Sequence, residues 1–199
     1  MLGRARLAHE LSVMLRRPRV LLKLALALCG LVPSSVRASP PEKVPVHEVE
    51  AEFIERFTRF IEWPDSVFKS PSAPFVLCTW GGGPLSAQLE QGVSRRRIKA
   101  RAVRLLRVDT TEQLAPCHVL YLAVADRGVV RRVSAYSYGK PLLSVGDQPG
   151  MAEAGLLINL VVDDGGFVRF EINRDVAKAS TLKISAKLMR LARLVGGRR

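Results

Sequence analysis

The chain has 199 residues, with 31 Lys and Arg against 18 Asp and Glu, a formal net charge of +13. Apolar residues make up 48% of it, enough for one domain with a real hydrophobic core. No internal repeat and no second apolar span follow residue 38.

The front of the chain is basic, with Arg4, Arg6, Arg16, Arg17 and Arg19. An apolar stretch, VLLKLALALCGLV, fills 20–32 and is broken only by Lys23. Pro33 and two serines lead to Val36-Arg37-Ala38. Small side chains at −3 and −1 suit signal peptidase, so residues 1–38 are expected to be a cleaved secretory signal peptide. The alternative is a retained membrane anchor. The apolar run is short of the roughly 20 residues that a bilayer core requires.

Residues 1–38 hold seven Lys or Arg and one acid, leaving 24 cationic and 17 anionic side chains beyond them, a net of +7. Much of the basicity that raises nucleic acid as a partner therefore belongs to the targeting segment. The densest remaining basic run is RRRIKARAVRLLR at 95–107. No helix-turn-helix, zinc knuckle or aromatic RNA-binding signature accompanies it, and no nucleic acid is expected as partner. The run reads as a solvated loop and strand face, or as a strip that attracts an anionic membrane surface or an acidic partner.

Residues 39–47 (SPPEKVPVH) form a proline-rich, flexible lead-in. A helix is predicted over 48–62, where Phe53, Phe57, Phe60 and Ile61 make one apolar face and Glu52, Glu55, Arg56, Arg59 and Glu62 the other. Trp63-Pro64 stops it, because the residue before proline avoids the α region. A buried strand at 75–80 (FVLCTW) runs through Gly81-Gly82-Gly83 into a helix at 85–91. Strands at 102–108, 119–124 and 141–145 alternate with a short helix around Glu112 and a longer one over 127–137. This alternation predicts an α/β fold with a central, mostly parallel sheet flanked by helices. The pattern then changes to a C-terminal β-hairpin, LLINLVV and FVRFEI joined by Asp163-Asp164-Gly165-Gly166. Val168, Phe170 and Ile172 point to the core, opposite Phe167, Arg169 and Glu171. A short helix at 175–179 follows. A terminal helix from Ser185 carries Leu188, Leu191 and Val195 inward and ends at Gly196-Gly197.

Cys78 and Cys117 lie beyond the signal segment. An even pair in an oxidising compartment favours a disulfide, and closing a loop of about 40 residues contributes roughly 4 kcal/mol in the chain-entropy account. The alternative is two unpaired buried thiols. His47 lies in the lead-in, and His118 follows Cys117 directly, so the two side chains point to opposite faces of a strand and do not form a Cys–His pair. There is no HExxH, GxSxG or clustered Cys/His set, and the sequence calls for no metal, no cofactor and no catalytic residue. The triple glycine could cradle a phosphate, although no Lys-Ser/Thr follows, and a plain strand-to-helix turn is the simpler use. Gly146 and Asp147 open a polar loop after a parallel strand, where α/β folds bind ligands. Arg169, Glu171 and Asn173 could line a polar pocket on the outer sheet face, or pair in solvent. These five are the candidate ligand or partner contacts.

Four stretches together carry a resemblance: AEFIERFTRFIEWP at 51–64, PFVLCTWG at 74–81, CHVLYL at 117–122, and 141–193, which includes SVGDQPGMAEAGLLINLVVDDGGFVRFEINRDVAKASTLKISAKLMRLAR. The sequence resembles the YfiR family of exported proteins over about residues 48–195. The resemblance implies a periplasmic protein without catalytic activity, with an α/β domain over 48–196, and a homodimer. It implies a partner, the periplasmic sensory domain of an inner-membrane diguanylate cyclase, which the family's namesake holds down until envelope or redox stress releases it. Cys78 and Cys117 match the family's disulfide positions. Some relatives carry a second cysteine pair; no other Cys lies beyond residue 38, so a switch built on that pair cannot operate here. The first helix and the basic strip are the expected partner surfaces. A small-molecule sensing module, with its ligand near 146–150 and 169–173, is the alternative.

Overall fold

The computed structural model describes residues 44–92 and 96–197; the expected signal peptide and most of the lead-in lie outside the described residues. Helix α1 (Val46–Phe60) begins two residues earlier than its apolar pattern predicts, directly after Pro45. Its buried stripe is Ala51, Ile54 and Phe57, continued by Ile61, the i, i+3, i+6/7 spacing of one helix face. Glu52–Arg56 and Glu55–Arg59 pair along the exposed side. The chain leaves the helix into a two-residue strand, β1 (Ile61–Glu62), before Trp63-Pro64. Strand β1 pairs antiparallel with β9 (Lys183–Ile184).

The main sheet has eight strands. In chain order they are β2 (Phe75–Trp80), β3 (Arg97–Ile98), β4 (Arg101–Val108), β5 (Val119–Leu122), β6 (Leu143–Gly146), β7 (Ile158–Val162), β8 (Val168–Asn173) and β10 (Arg193–Val195). Their spatial order is β10-β8-β7-β6-β5-β2-β4-β3. Strands β4, β2, β5, β6 and β7 run parallel; the hairpin partner β8 runs against them and β10 runs with β8. The expected mostly parallel sheet is therefore present. All six residues of β2 are buried, as a strand covered on both faces must be.

Alternation along the strands divides the core in two. Phe75, Leu77, Val119, Tyr121, Val145, Ile158, Phe170 and Ile172 point to one side, under α1 and α2 (Pro84–Gly92). Val76, Cys78, Trp80, Leu120 and Leu122 point to the other, under α3 (Arg127–Ser137) and the loop that carries Met151 and Leu156. Helix α3 starts on Asp126, whose side chain accepts from the Val129 N–H at 2.8 Å, satisfying one of the helix's unpaired donors. On this second side Cys78 and Cys117 form a disulfide with Cα atoms 5.8 Å apart. The bond is possible because Cys117 lies two residues ahead of β5, the neighbour of β2, and the Val76 carbonyl accepts from His118 N–H to hold the two together.

The hairpin turn is built on Asp163, whose carboxylate accepts from the N–H groups of Gly165 and Phe167 at 3.0 and 2.9 Å. Gly166 takes φ +78°, a conformation that favours glycine.

The end of the chain departs from the helical reading. After α4 (Arg174–Ala179) and β9, helix α5 (Ala186–Leu191) lasts only six residues. Leu188 is buried, but Leu191 is 66% exposed rather than inward. The chain then extends into β10 along the outer edge of β8, and Gly196-Gly197 follow a strand rather than a helix. The edge of β8 would otherwise present unpaired N–H and C=O groups, and covering it outweighs continuing a short helix. No helix among the described residues is long and apolar enough to cross a membrane.

Candidate functional site

Three parallel strands, β2, β5 and β6, end at one edge of the sheet, as Gly81, Ala123 and Asp147 follow them. Helix α1 crosses this edge with its first turns, and α2 begins beside it. Between them lies a cleft of about 320 Å³, lined by Val46, His47, Glu50, Gly82, Gly83, Leu85, Tyr121, Ala123, Asp147 and Gln148. Asp147 accepts from the Tyr121 hydroxyl at 2.7 Å and from Gln148 Nε2 at 3.1 Å. Glu50 is 7% exposed. Burial, and secondly the charge of Asp147, push its carboxyl up to about 7. Burial also raises the Tyr121 phenol, reinforced by its bond to Asp147 and by the two nearby carboxylates, so Tyr121 stays protonated and acts as a donor.

Of the five residues that the sequence singles out, only Asp147 faces this cleft. Gly146 serves packing: a Cβ there would overlap the Met151 side chain. Arg169 lies at the hairpin end of β8 and pairs with Asp163 at 3.0 Å. Glu171 is not on an outer, solvated face; it is 2% exposed and pairs with Arg193 of β10. Its other neighbour is Asn159, whose Nδ2 donates to it at 3.4 Å. The register explains this, since Gly146, Asn159, Glu171 and Arg193 form one row across β6, β7, β8 and β10. Asn173 caps α4, accepting from the N–H groups of Asp175 and Val176, and donates to the Ala152 carbonyl at 2.7 Å. These four positions hold the fold together and do not converge on a ligand.

The sequence reading missed Glu50, Tyr121 and the position of His47, which belongs to α1 and not to a loose lead-in. One signal was there to find: Glu50, Ile54, Phe57 and Ile61 share one helical stripe, so a carboxylate sits on the inward face. The triple glycine turns the chain from β2 into α2, with Gly81 and Gly83 at φ +91° and +135°. The neighbouring carboxylates Glu50 and Asp147 make this edge unsuited to a phosphate.

At the opposite end of the strands His118 stacks on Phe68 and Phe75, with centroids 4.7 and 5.0 Å apart. Its Nδ1 accepts from the Val76 N–H at 2.9 Å, and burial is the largest effect on its pKa, lowering it. Its ring is thus a packed structural element; Cys117 and His118 both precede β5 and belong to no strand, so strand alternation does not set their directions. The basic strip is largely occupied too. One Arg101 nitrogen donates to the carbonyls of Ser70, Pro71 and Ala73, Arg107 pairs with Glu90, and Arg96 pairs with Glu55 at 2.8 Å. Among the described residues no group of three or more His, Cys, Asp or Glu could hold a metal ion.

Fold and site together define a disulfide-bonded α/β domain with a mostly parallel sheet flanked by helices and an acidic cleft at its strand ends. The chain belongs to the YfiR/HmsC-like family, whose profile matches residues 47–193. Among solved structures it is similar to one titled as the ABC domain in complex with L-Trp from Streptococcus pneumonia, at 12% identity and a TM-score of 0.45. That match covers 75% of this chain and 60% of the other, so the chain spans about three fifths of that structure's length.

Proposed function

We propose that this protein is an exported, non-catalytic regulator that represses an inner-membrane diguanylate cyclase by binding its periplasmic sensory domain. The observation that carries the reading is membership of the YfiR/HmsC-like family across the whole domain, residues 47–193. The Cys78–Cys117 disulfide fits an oxidising compartment, and residues 1–38 supply the export signal, cleaved after Ala38. Repression requires that the protein bind the inactive arrangement of the cyclase sensor more tightly than the active one. Binding then keeps cyclic-di-GMP low and limits biofilm formation. The protein works as a homodimer, and release of the sensor is the inducing event.

Exposed apolar side chains suit such docking better than the paired arginines do. Phe167 and Val162 at the hairpin, and Leu191 and Leu194 near the C-terminal edge, are exposed. Membranes of a strain carrying a tagged version, crosslinked in whole cells, should yield a membrane protein with a diguanylate cyclase domain bound to it. Recovery of the protein without any such cyclase, under conditions that preserve other periplasmic complexes, would contradict the reading.

A further inference from the structure

Two acidic side chains in the described residues are nine-tenths buried, and they are treated differently. Glu171 has Arg193 beside it. Glu50 has no cation and no hydrogen-bond donor among the described residues, although it lines the cleft and is 7% exposed. Its neighbour Asp147 is held by two neutral donors, Tyr121 and Gln148, which orient that carboxylate without balancing its charge. A basic chain has thus left a pair of carboxylates without counter-charge in a cavity. Such a site is costly empty, because burial and the neighbouring Asp147 charge both disfavour the ionised form of Glu50.

We propose that the cleft binds a small organic cation, a primary alkylamine or diamine whose ammonium group sits between Glu50 and Asp147. An ammonium offers three donors and the missing charge, and suits carboxylates that keep open lone pairs. The methylene chain would run along the apolar lining from Val46, Leu85 and Ala123. A Cβ built on Gly82 or Gly83 would meet nothing within 4 Å, so this side of the cleft is open to the ligand. A volume of about 320 Å³ is at the small end for ligand pockets, which suits a molecule of a few heavy atoms and not a polymer. A divalent metal is the less suitable occupant, since no group of three metal-ligating side chains gathers among the described residues.

The groups that face Glu50 are His47 on its own helix, Tyr121 of β5, and Asp147 and Gln148 beyond β6. With the Glu50 carboxyl near 7, its ionised fraction rises about tenfold between pH 6 and pH 8, while an alkylamine stays protonated throughout. The inference does not depend on which protein the domain regulates.

Isothermal titration of the exported protein with 1,4-diaminobutane and with n-butylamine, in 0.15 M NaCl, tests it. Saturable one-to-one binding is expected at pH 8, about tenfold weaker at pH 6, with no binding of the uncharged n-butanol. Glu50→Gln and Asp147→Asn should each weaken binding at least tenfold, whereas Glu52→Gln, on the exposed side of the same helix, should leave it unchanged. Circular dichroism checks that each variant is folded. Absence of saturable amine binding by the folded wild-type protein at pH 8 would overturn the proposal. So would binding that survives both cleft substitutions, or tighter binding of magnesium or calcium chloride than of either amine.

Discussion

Glu50 shows what one buried carboxyl does to the stability of the domain. Its folded pKa of about 7 stands above its ordinary value of 4.5. Between these two values the folded state holds a proton that the unfolded state has lost. Stability therefore falls as pH rises through this window, and the full penalty is present above pH 7. Allowing for solvent at the cleft mouth, the penalty is on the order of 1–2 kcal/mol. Glu50→Gln should raise stability by about that amount at pH 8 and change it little at pH 4, as read by urea denaturation at the two pH values. Equal stability of the two proteins at pH 8 would contradict a buried, uncompensated carboxylate. A second residue-level prediction concerns the disulfide. Cys78→Ser or Cys117→Ser should cost about 2–5 kcal/mol, and peptide mass spectrometry without reduction should recover the Cys78–Cys117 link from the native protein.

At the scale of elements, the last strand matters more than its three residues suggest. Strand β10 both pairs the free edge of β8 and delivers Arg193 to Glu171. Arg193 is 69% exposed but Glu171 is 2% exposed, so removing the arginine leaves a buried charge with only Asn159 beside it. Arg193→Ala should therefore destabilise by about 1–3 kcal/mol. Adding Glu171→Gln to Arg193→Ala should recover part of the loss, because the orphaned charge disappears. A double variant no more stable than the single one would show that the pair is not the source of the effect. This region also marks how far the sequence could be read. Buried strands such as β2 and the helix over 127–137 were legible, because a continuous apolar run or a 3.6-residue period states the local environment directly. The conversion of the expected terminal helix into α5 and β10 was not, since its cause is the unpaired edge of β8, far away in sequence. Glu171 was misplaced for the same reason: alternation correctly puts it on the face opposite Ile172, but only the topology shows that this face is covered there. Asp147 was legible as a strand-end residue. Tyr121 was not, and Glu50 was legible only as an inward-facing carboxylate, because the cleft joins three segments whose proximity no local pattern encodes.

At the scale of the molecule, one sheet separates two differently built ends. The strand beginnings are packed around the His118 stack and lie beside the disulfide, and the strand ends carry the acidic cleft. A regulator without chemistry of its own needs a rigid body that binds one state of its partner in preference to another, and a covered sheet with one covalent tie supplies the rigidity. In the proposed role the exposed hairpin and C-terminal edge would be the surface offered to the partner. Phe167→Asp at the hairpin should weaken association with the cyclase sensor by tenfold or more without changing the melting temperature, because Phe167 is 65% exposed and its loss opens no cavity. Affinity measured by surface plasmon resonance against the isolated sensor checks this. The central claim, repression of a membrane diguanylate cyclase from the periplasmic side, is tested most directly by cellular cyclic-di-GMP in a deletion strain. Deletion should raise cyclic-di-GMP, and the rise should be reversed by the full-length chain and not by a version lacking residues 1–38, which would remain in the cytoplasm. Unchanged cyclic-di-GMP in the deletion strain across growth conditions, or reversal by the version without the signal, would contradict it.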